Sequence, residues 1–133
     1  MAGLLPTSPG ILPYYLLFTA SMGLVHTVVC YINPLGSMRQ FSGPRAPPPT
    51  SVLAHVYGMQ NLYTGFIRIL AAYNIDNAPL YYLAILTFIG TIFLNGTETL
   101  IWKTARFYET RFAYLPASIG LIWLVVQKDW YLS

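Results

Sequence analysis

The sequence has 133 residues, of which 56% are hydrophobic and only 8% are charged. An ordinary soluble domain carries roughly 25% charged residues, so this composition cannot supply a surface that faces water. The net charge of +3 comes from seven Lys and Arg residues that never form a run, which excludes a basic patch for nucleic acid. The composition therefore predicts a single all-α integral membrane domain over residues 1–133.

The first two predicted elements are an apolar span and a loop rich in proline. Residues 14–32 are apolar and, at 1.5 Å per residue, are about long enough to cross a ~30 Å hydrocarbon core. Asn33 and Pro34 end this run. Residues 33–50 combine many prolines with two arginines, a composition that favours extended conformations outside the bilayer.

Three further spans are predicted, and they differ in hydropathy. The run 51–73, with Ser51 as its predicted N-cap, contains Arg68, which costs about 3 kcal/mol near the bilayer centre. Alone, this run would insert only marginally. The spans 80–102 and 112–127 follow a short polar turn and a basic loop, respectively. The chain is therefore predicted to form a bundle of four transmembrane helices.

The basic residues indicate an orientation. With four spans, the loops 33–50 and 103–111 share one side of the membrane. They carry Arg39, Arg45, Lys103, Arg106 and Arg111. The other side has only Lys128 outside the bilayer. The positive-inside rule makes both loops cytoplasmic and both termini luminal or exterior. The glycosylation sequon at Asn95 falls within the third span and is interpreted as a chance match.

Polar and small residues recur at helical spacing inside the predicted spans. The candidate residues of this seam are His26 in the first span, His55, Gly58, Asn61, Gly65 and Arg68 in the second, and Thr91 and Glu98 in the third. Small residues allow helices to approach closely, and polar side chains can hydrogen-bond between helices. The seam therefore has two interpretations, helix packing and a substrate pathway or ligand site.

Depth along the spans predicts which ionisable groups meet. In an antiparallel hairpin, Glu98 returns to the depth of His55, so we expect these two residues to be neighbours, with His26 as a third candidate. Arg68 lies nearer the luminal end. There it is expected to extend toward the interface, or to pair with Asp76 or Asp129.

The residues needed for common catalytic sites are missing from the sequence. His26 and His55 are the only histidines, too few for a di-iron oxidase cluster, and Cys30 is the only cysteine. No segment offers the glycine-rich turn that binds a nicotinamide nucleotide or the P-loop pattern. The sequence predicts a protein that is not an enzyme and binds no cofactor.

Several segments form a recognisable combination: Ala54-His55-Val56-Tyr57-Gly58, Phe66-Ile67-Arg68, residues 71–77, Glu98, Thr104-Ala105-Arg106 and residues 127–131. Together they resemble the ergosterol biosynthetic protein 28 family, especially its fungal members. The resemblance implies a multi-pass, non-catalytic scaffold of the endoplasmic reticulum membrane that acts in ergosterol biosynthesis. Its implied partners are the sterol C-4 methyl oxidase, the decarboxylating 3β-hydroxysteroid dehydrogenase and the 3-keto sterol reductase of C-4 demethylation.

Two other functions remain open on the sequence. The chain could be a sterol-binding or transporting membrane subunit, in which Asn61, Arg68, Thr91 and Glu98 line a polar cavity. It could also be a small helical channel or homo-oligomer that self-associates through Gly58 and Gly65.

Overall fold

The computed structural model describes residue 6 and residues 10–132, and all regular elements in this part of the chain are helical. In chain order the helices are α1 (Leu12–Ile32), α2 (Pro34–Ser37), α3 (Ser51–Tyr73), α4 (Ala78–Leu100), α5 (Phe107–Val126) and α6 (Lys128–Leu132). A short 3-10 helix, Arg39–Phe41, follows α2.

Side-chain caps set where α3 and α4 begin. The Thr50 hydroxyl accepts a hydrogen bond from the Leu53 backbone N–H, so Thr50 is the N-cap of α3 and not Ser51, which is the first helical residue. Asn77 caps α4 in the same way, through the Leu80 N–H. Each cap satisfies a backbone donor that has no partner within its own helix.

The last long helix starts before the predicted fourth span. Residues 112–127 were expected to form it, whereas α5 runs from Phe107 to Val126 and includes Pro116 within the helix. Hydropathy marks where a chain can enter lipid, but a helix continues for as long as its backbone hydrogen bonds do. Residues 107–111, which include Glu109 and Arg111, therefore begin α5 instead of forming a loop.

The four long helices form an antiparallel ring in the order α1, α3, α4, α5. Gly58 of α3 lies against Cys30 of α1, and Gly65 lies against Leu24, so residue numbers rise along one helix as they fall along the other. Helix α4 packs mainly on α5. Tyr15 connects α1 to α5 by donating to the Pro116 carbonyl oxygen.

The apolar core fills only one end of this ring. Its buried members include Leu12, Leu16, Ile75, Tyr81 and Leu124, which lie toward the α3–α4 turn and the end of α5. At the other end, the two long loops hydrogen-bond to each other. Gly43 N donates to Thr104 O at 3.0 Å and Arg45 N donates to Lys103 O at 3.0 Å. The proline-rich loop and the basic loop therefore cover the same end of the bundle.

Two of the helices, α1 and α4, are long and apolar enough to cross a membrane. This indicates a membrane protein with two apolar helices where the sequence predicts four spans. Helix α3 contains His55, Asn61 and Arg68, and α5 contains Glu109 and Arg111, so both have a more polar composition than α1 and α4. By hydropathy, α1 and α4 therefore form an apolar pair, and α3 and α5 form a more polar pair.

Candidate functional site

A polar cavity lies between the four long helices. Its volume is about 260 Å³, and it extends from the edge of the apolar core toward the two joined loops. The polar residues that line it are Thr19 and His26 of α1, Gln40 of the 3-10 helix, Tyr57, Gln60, Asn61, Thr64 and Arg68 of α3, Thr91 and Asn95 of α4, and Glu109 of α5. Four of the eight predicted seam residues, His26, Asn61, Arg68 and Thr91, are thus brought together around one space.

Arg68 turns into the bundle instead of toward the membrane surface. Its side chain is only 8% exposed, and Nε donates a hydrogen bond to the Thr87 hydroxyl at 3.0 Å. Its guanidinium carbon lies 4.0 Å from the centre of the Phe88 ring, a cation–π distance. The prediction that Arg68 extends outward or pairs with Asp76 or Asp129 is wrong, because Thr87 and Phe88 hold the guanidinium inside.

Gly120 allows Phe88 to reach this position. A Cβ atom at Gly120 would lie 2.8 Å from the Phe88 ring, so any larger residue there would move the ring. Phe88 is almost fully buried, at 1% exposure. Sequence reasoning missed both residues, because nothing in the spacing of an apolar span shows which aromatic ring faces a charge on another helix.

Gln40 closes the loop end of the cavity. Its Nε2 donates to the Tyr57 hydroxyl at 3.0 Å and to Asn95 Oδ1 at 3.2 Å, so a residue of the proline-rich segment joins α3 to α4. Asn95 Nδ2 in turn donates to the Thr91 carbonyl at 2.8 Å. Asn95 is 1% exposed, so in this fold the sequon offers no accessible acceptor for a glycan. No sequence signal distinguishes Gln40 from the other loop residues.

His26 and Glu109 complete the polar lining. The His26 ring lies edge-on to Tyr57, with centroids 5.6 Å apart, and its buried Nε2 atom has no hydrogen-bond partner among the described residues. Glu109 belongs to the first turn of α5, which the sequence had assigned to a loop, and this is why it was not a candidate.

Glu98 and His55, which are predicted to be neighbours, form no ion pair within residues 10–132. His55 stacks on Tyr31 on the outside of the bundle, with ring centroids 4.4 Å apart. The Glu98 carboxylate instead accepts a hydrogen bond from the Thr104 hydroxyl. Lys103 adopts a left-handed conformation with φ of 58°, which turns the chain so that Thr104 returns to Glu98. Among residues 10–132, the single ion pair joins Lys128 and Asp129.

Gly58 and Gly65 lie where α3 crosses α1. At this crossing the Thr27 hydroxyl donates to the Gly58 carbonyl oxygen at 2.9 Å, a hydrogen bond between helices that requires close backbones. These two glycines therefore occupy the α1–α3 interface inside one chain.

The described residues contain no group of three or more His, Cys, Asp or Glu side chains that could hold a metal ion. The cavity instead presents one buried cation, several hydroxyl and amide groups, and one carboxylate. Such a lining can bind and orient a polar group.

Comparison with known proteins gives a consistent result over nearly the whole chain. The family model described as "Erg28 like protein" matches residues 12–122. The ergosterol biosynthetic protein 28 of Candida albicans is 30% identical over 129 residues, which covers 96% of this chain and 92% of the relative. The protein of the same name from Gibberella zeae is 25% identical over 161 residues, covering 97% and 95% of the two chains.

The ergosterol biosynthetic protein 28 of Saccharomyces cerevisiae is 23% identical over 123 residues, covering 92% of this chain and 83% of the relative. No solved structure matches the chain. The name shared by the three relatives denotes no enzyme activity. Because the family model matches most of the sequence, the chain belongs to the Erg28-like protein family.

Proposed function

We propose that this protein is a non-catalytic membrane scaffold in ergosterol biosynthesis, located in the endoplasmic reticulum. The observation that carries the proposal is the match to relatives named ergosterol biosynthetic protein 28 over more than nine-tenths of the chain. The proposed partners are the sterol C-4 methyl oxidase, the decarboxylating 3β-hydroxysteroid dehydrogenase and the 3-keto sterol reductase.

The proposal includes four membrane spans, formed by α1, α3, α4 and α5. All four helices present large apolar side chains outward, among them Val25 at 63% exposure and Phe66 at 53%. The charged group of α3, on Arg68, is directed inward. A helix with a polar inner face and an apolar outer face can lie in lipid when its neighbours cover the polar side.

The covered end of the bundle is the proposed docking region for the catalytic domains. It carries the basic residues of both loops, and Arg106 fixes one loop to the other by donating from Nε to the Ser42 carbonyl at 2.8 Å. Tethering three enzymes there would raise their effective concentration for one another. Poorly soluble sterol intermediates would then pass between neighbouring active sites.

The scaffold is tested by purifying tagged protein from mild detergent extracts of the native membrane and identifying the associated proteins by mass spectrometry. We expect to recover all three C-4 demethylation enzymes with the tagged protein. Cells that lack the gene are expected to accumulate sterols that retain C-4 substituents. Recovery of copies of this chain alone, together with an unchanged sterol profile, would reject the scaffold in favour of self-association.

The orientation is tested separately by labelling single cysteines in sealed microsomes with a maleimide that cannot cross membranes. Cys30 is buried and is replaced by serine in the background protein. We expect Arg45→Cys to be labelled from the cytoplasmic side and Asp129→Cys only after the membrane is opened. Equal labelling of both positions in sealed microsomes would exclude the proposed four-span orientation.

A further inference from the structure

The buried Arg68 has no acidic partner in the described part of the chain. Its side-chain hydrogen bond runs from Nε to Thr87, and neither terminal nitrogen of the guanidinium has an acceptor among residues 10–132. The acidic residue in the cavity lining is Glu109, and it forms no ion pair with Arg68. A charged group in a low-dielectric interior is unfavourable unless an opposite charge binds it.

We propose that this cavity binds the oxyanion head group, a carboxylate or a phosphate, of an amphipathic lipid, and that Arg68 is its charged ligand. A guanidinium offers two parallel N–H donors that match the oxygens of either group. Thr87 binds Nε of Arg68, and the Phe88 ring lies against the guanidinium group. Arg68 held in this position is part of the cavity lining.

A second unpartnered group lies in the same lining. His26 Nε2 is buried and forms no hydrogen bond within residues 10–132, and buried polar atoms of this kind are uncommon in folded proteins. His26 and Arg68 belong to different helices and both line the cavity. The cavity therefore offers a ligand two polar groups that lack protein acceptors or donors among the described residues, one from α1 and one from α3.

Opposite charges mark two positions in the cavity. Pro116 and Glu109 both line it from α5, and their separation of seven residues corresponds to about 10 Å along the helix. Glu109 lies at the loop end of the cavity and repels an anion there. Arg68 lies over the core residue Phe88, at the end of the cavity that Pro116 and the core residue Ala117 also line, and attracts the anion there. This arrangement places the oxyanion beside Arg68.

The size and walls of the cavity favour a lipid over a free anion. At about 260 Å³ the cavity is smaller than the roughly 300–1,000 Å³ of sites that enclose a drug-sized ligand. It therefore holds a head group and leaves a larger apolar part outside. Met22 of α1 and Phe112 of α5 line the cavity, and these residues are 41% and 62% exposed. An acyl chain or ring system can rest on this apolar surface.

The inference goes beyond the scaffold function and is tested without partner enzymes. Purified full-length protein in neutral detergent is titrated with oleate or dioleoyl phosphatidic acid, and bound lipid is counted by native mass spectrometry. Oleyl alcohol and dioleoylglycerol are the matched uncharged probes. We expect at least one anionic probe to bind about ten-fold more tightly than its neutral counterpart, and that probe identifies the carboxylate or the phosphate.

Two variants and one control assign the binding to the cavity. Arg68→Gln is expected to weaken binding of the anionic probe about ten-fold or more. Arg39→Gln removes a positive charge from the loop outside the cavity and should leave binding unchanged. Ala113→Leu keeps Arg68 but fills part of the cavity, so it should also weaken binding.

Thermal unfolding provides a second test, because the shift in Tm on adding the probe is measured against the same variant without the probe. A ligand that binds the folded state raises Tm, so the anionic probe should raise the Tm of the unaltered protein and of Arg39→Gln by more than that of Arg68→Gln at the same probe concentration. Equal binding of anionic and neutral probes, or undiminished binding by Arg68→Gln, would overturn the proposal. Failure of both anionic probes to bind would do the same.

Discussion

Substituting Gly58 by alanine tests how closely α1 and α3 must approach. The added Cβ would lie 2.9 Å from the Cβ of Cys30 and 3.5 Å from the Thr27 carbonyl oxygen, neither of which is the end of a flexible side chain. Overpacking of this kind costs about 1–3 kcal/mol. Separating the helices also weakens the 2.9 Å hydrogen bond from Thr27 to Gly58, worth about 0.6 kcal/mol in a membrane protein.

Helix propensity opposes these losses. Alanine is favoured over glycine within a helix by about 1 kcal/mol, so we expect Gly58→Ala to lower the free energy of unfolding by about 1–2 kcal/mol. Gly90→Ala is the matched control, because a Cβ at Gly90 in α4 has no neighbour within 4 Å. The control should be stabilised by about 0.5–1 kcal/mol.

The free energy of unfolding is measured by reversible SDS titration in mixed micelles, followed by circular dichroism. Replacing Cys30 by glycine removes the atom with which the new methyl group collides. The double variant should therefore be less destabilised than the sum of the two single variants, with a coupling energy of about 1 kcal/mol. A Gly58→Ala protein as stable as Gly90→Ala would show that the helices do not need this contact.

Three further predictions concern the cavity lining. Thr87→Val removes the acceptor for Arg68 Nε and should lower the free energy of unfolding by about 1–3 kcal/mol, whereas Thr97→Val, which alters a hydroxyl bonded only within α4, should change it by less than about 0.5 kcal/mol. Gln40→Leu should speed proteolysis of the proline-rich loop in microsomes, because both side-chain hydrogen bonds to the bundle are lost, and unchanged cleavage would argue against this anchor. Asn95 should carry no glycan, so endoglycosidase treatment should not change the electrophoretic mobility of the protein.

Helix positions followed from local properties of the sequence. The run 51–73 was expected from apolar residues between a loop and a polar turn, and α3 occupies Ser51–Tyr73. The predicted span 112–127 begins later than α5, which starts at Phe107, because the start of this helix contains the charged residues Glu109 and Arg111. Hydropathy detects contact with lipid or core, whereas backbone hydrogen bonds set the ends of a helix.

Which side chains contact each other could not be derived from local properties of the sequence. Depth along the helices predicts Glu98 beside His55. In the structure, the left-handed conformation of Lys103 turns the chain back, so the Thr104 hydroxyl donates its hydrogen bond to the Glu98 carboxylate. Equal depth in a bundle is a necessary condition for contact, and it leaves the direction of each side chain open. The turn that follows α4 decides the partner of Glu98.

The sequence by itself determined that the chain is helical, apolar and divided into four long segments, because composition and periodicity act within short stretches of chain. Only the tertiary structure decided that Arg68 faces Phe88, since the absence of a side chain at Gly120, on a third helix, provides the space for that ring. These contacts join residues far apart in sequence, and their geometry depends on which side chains let two helices approach.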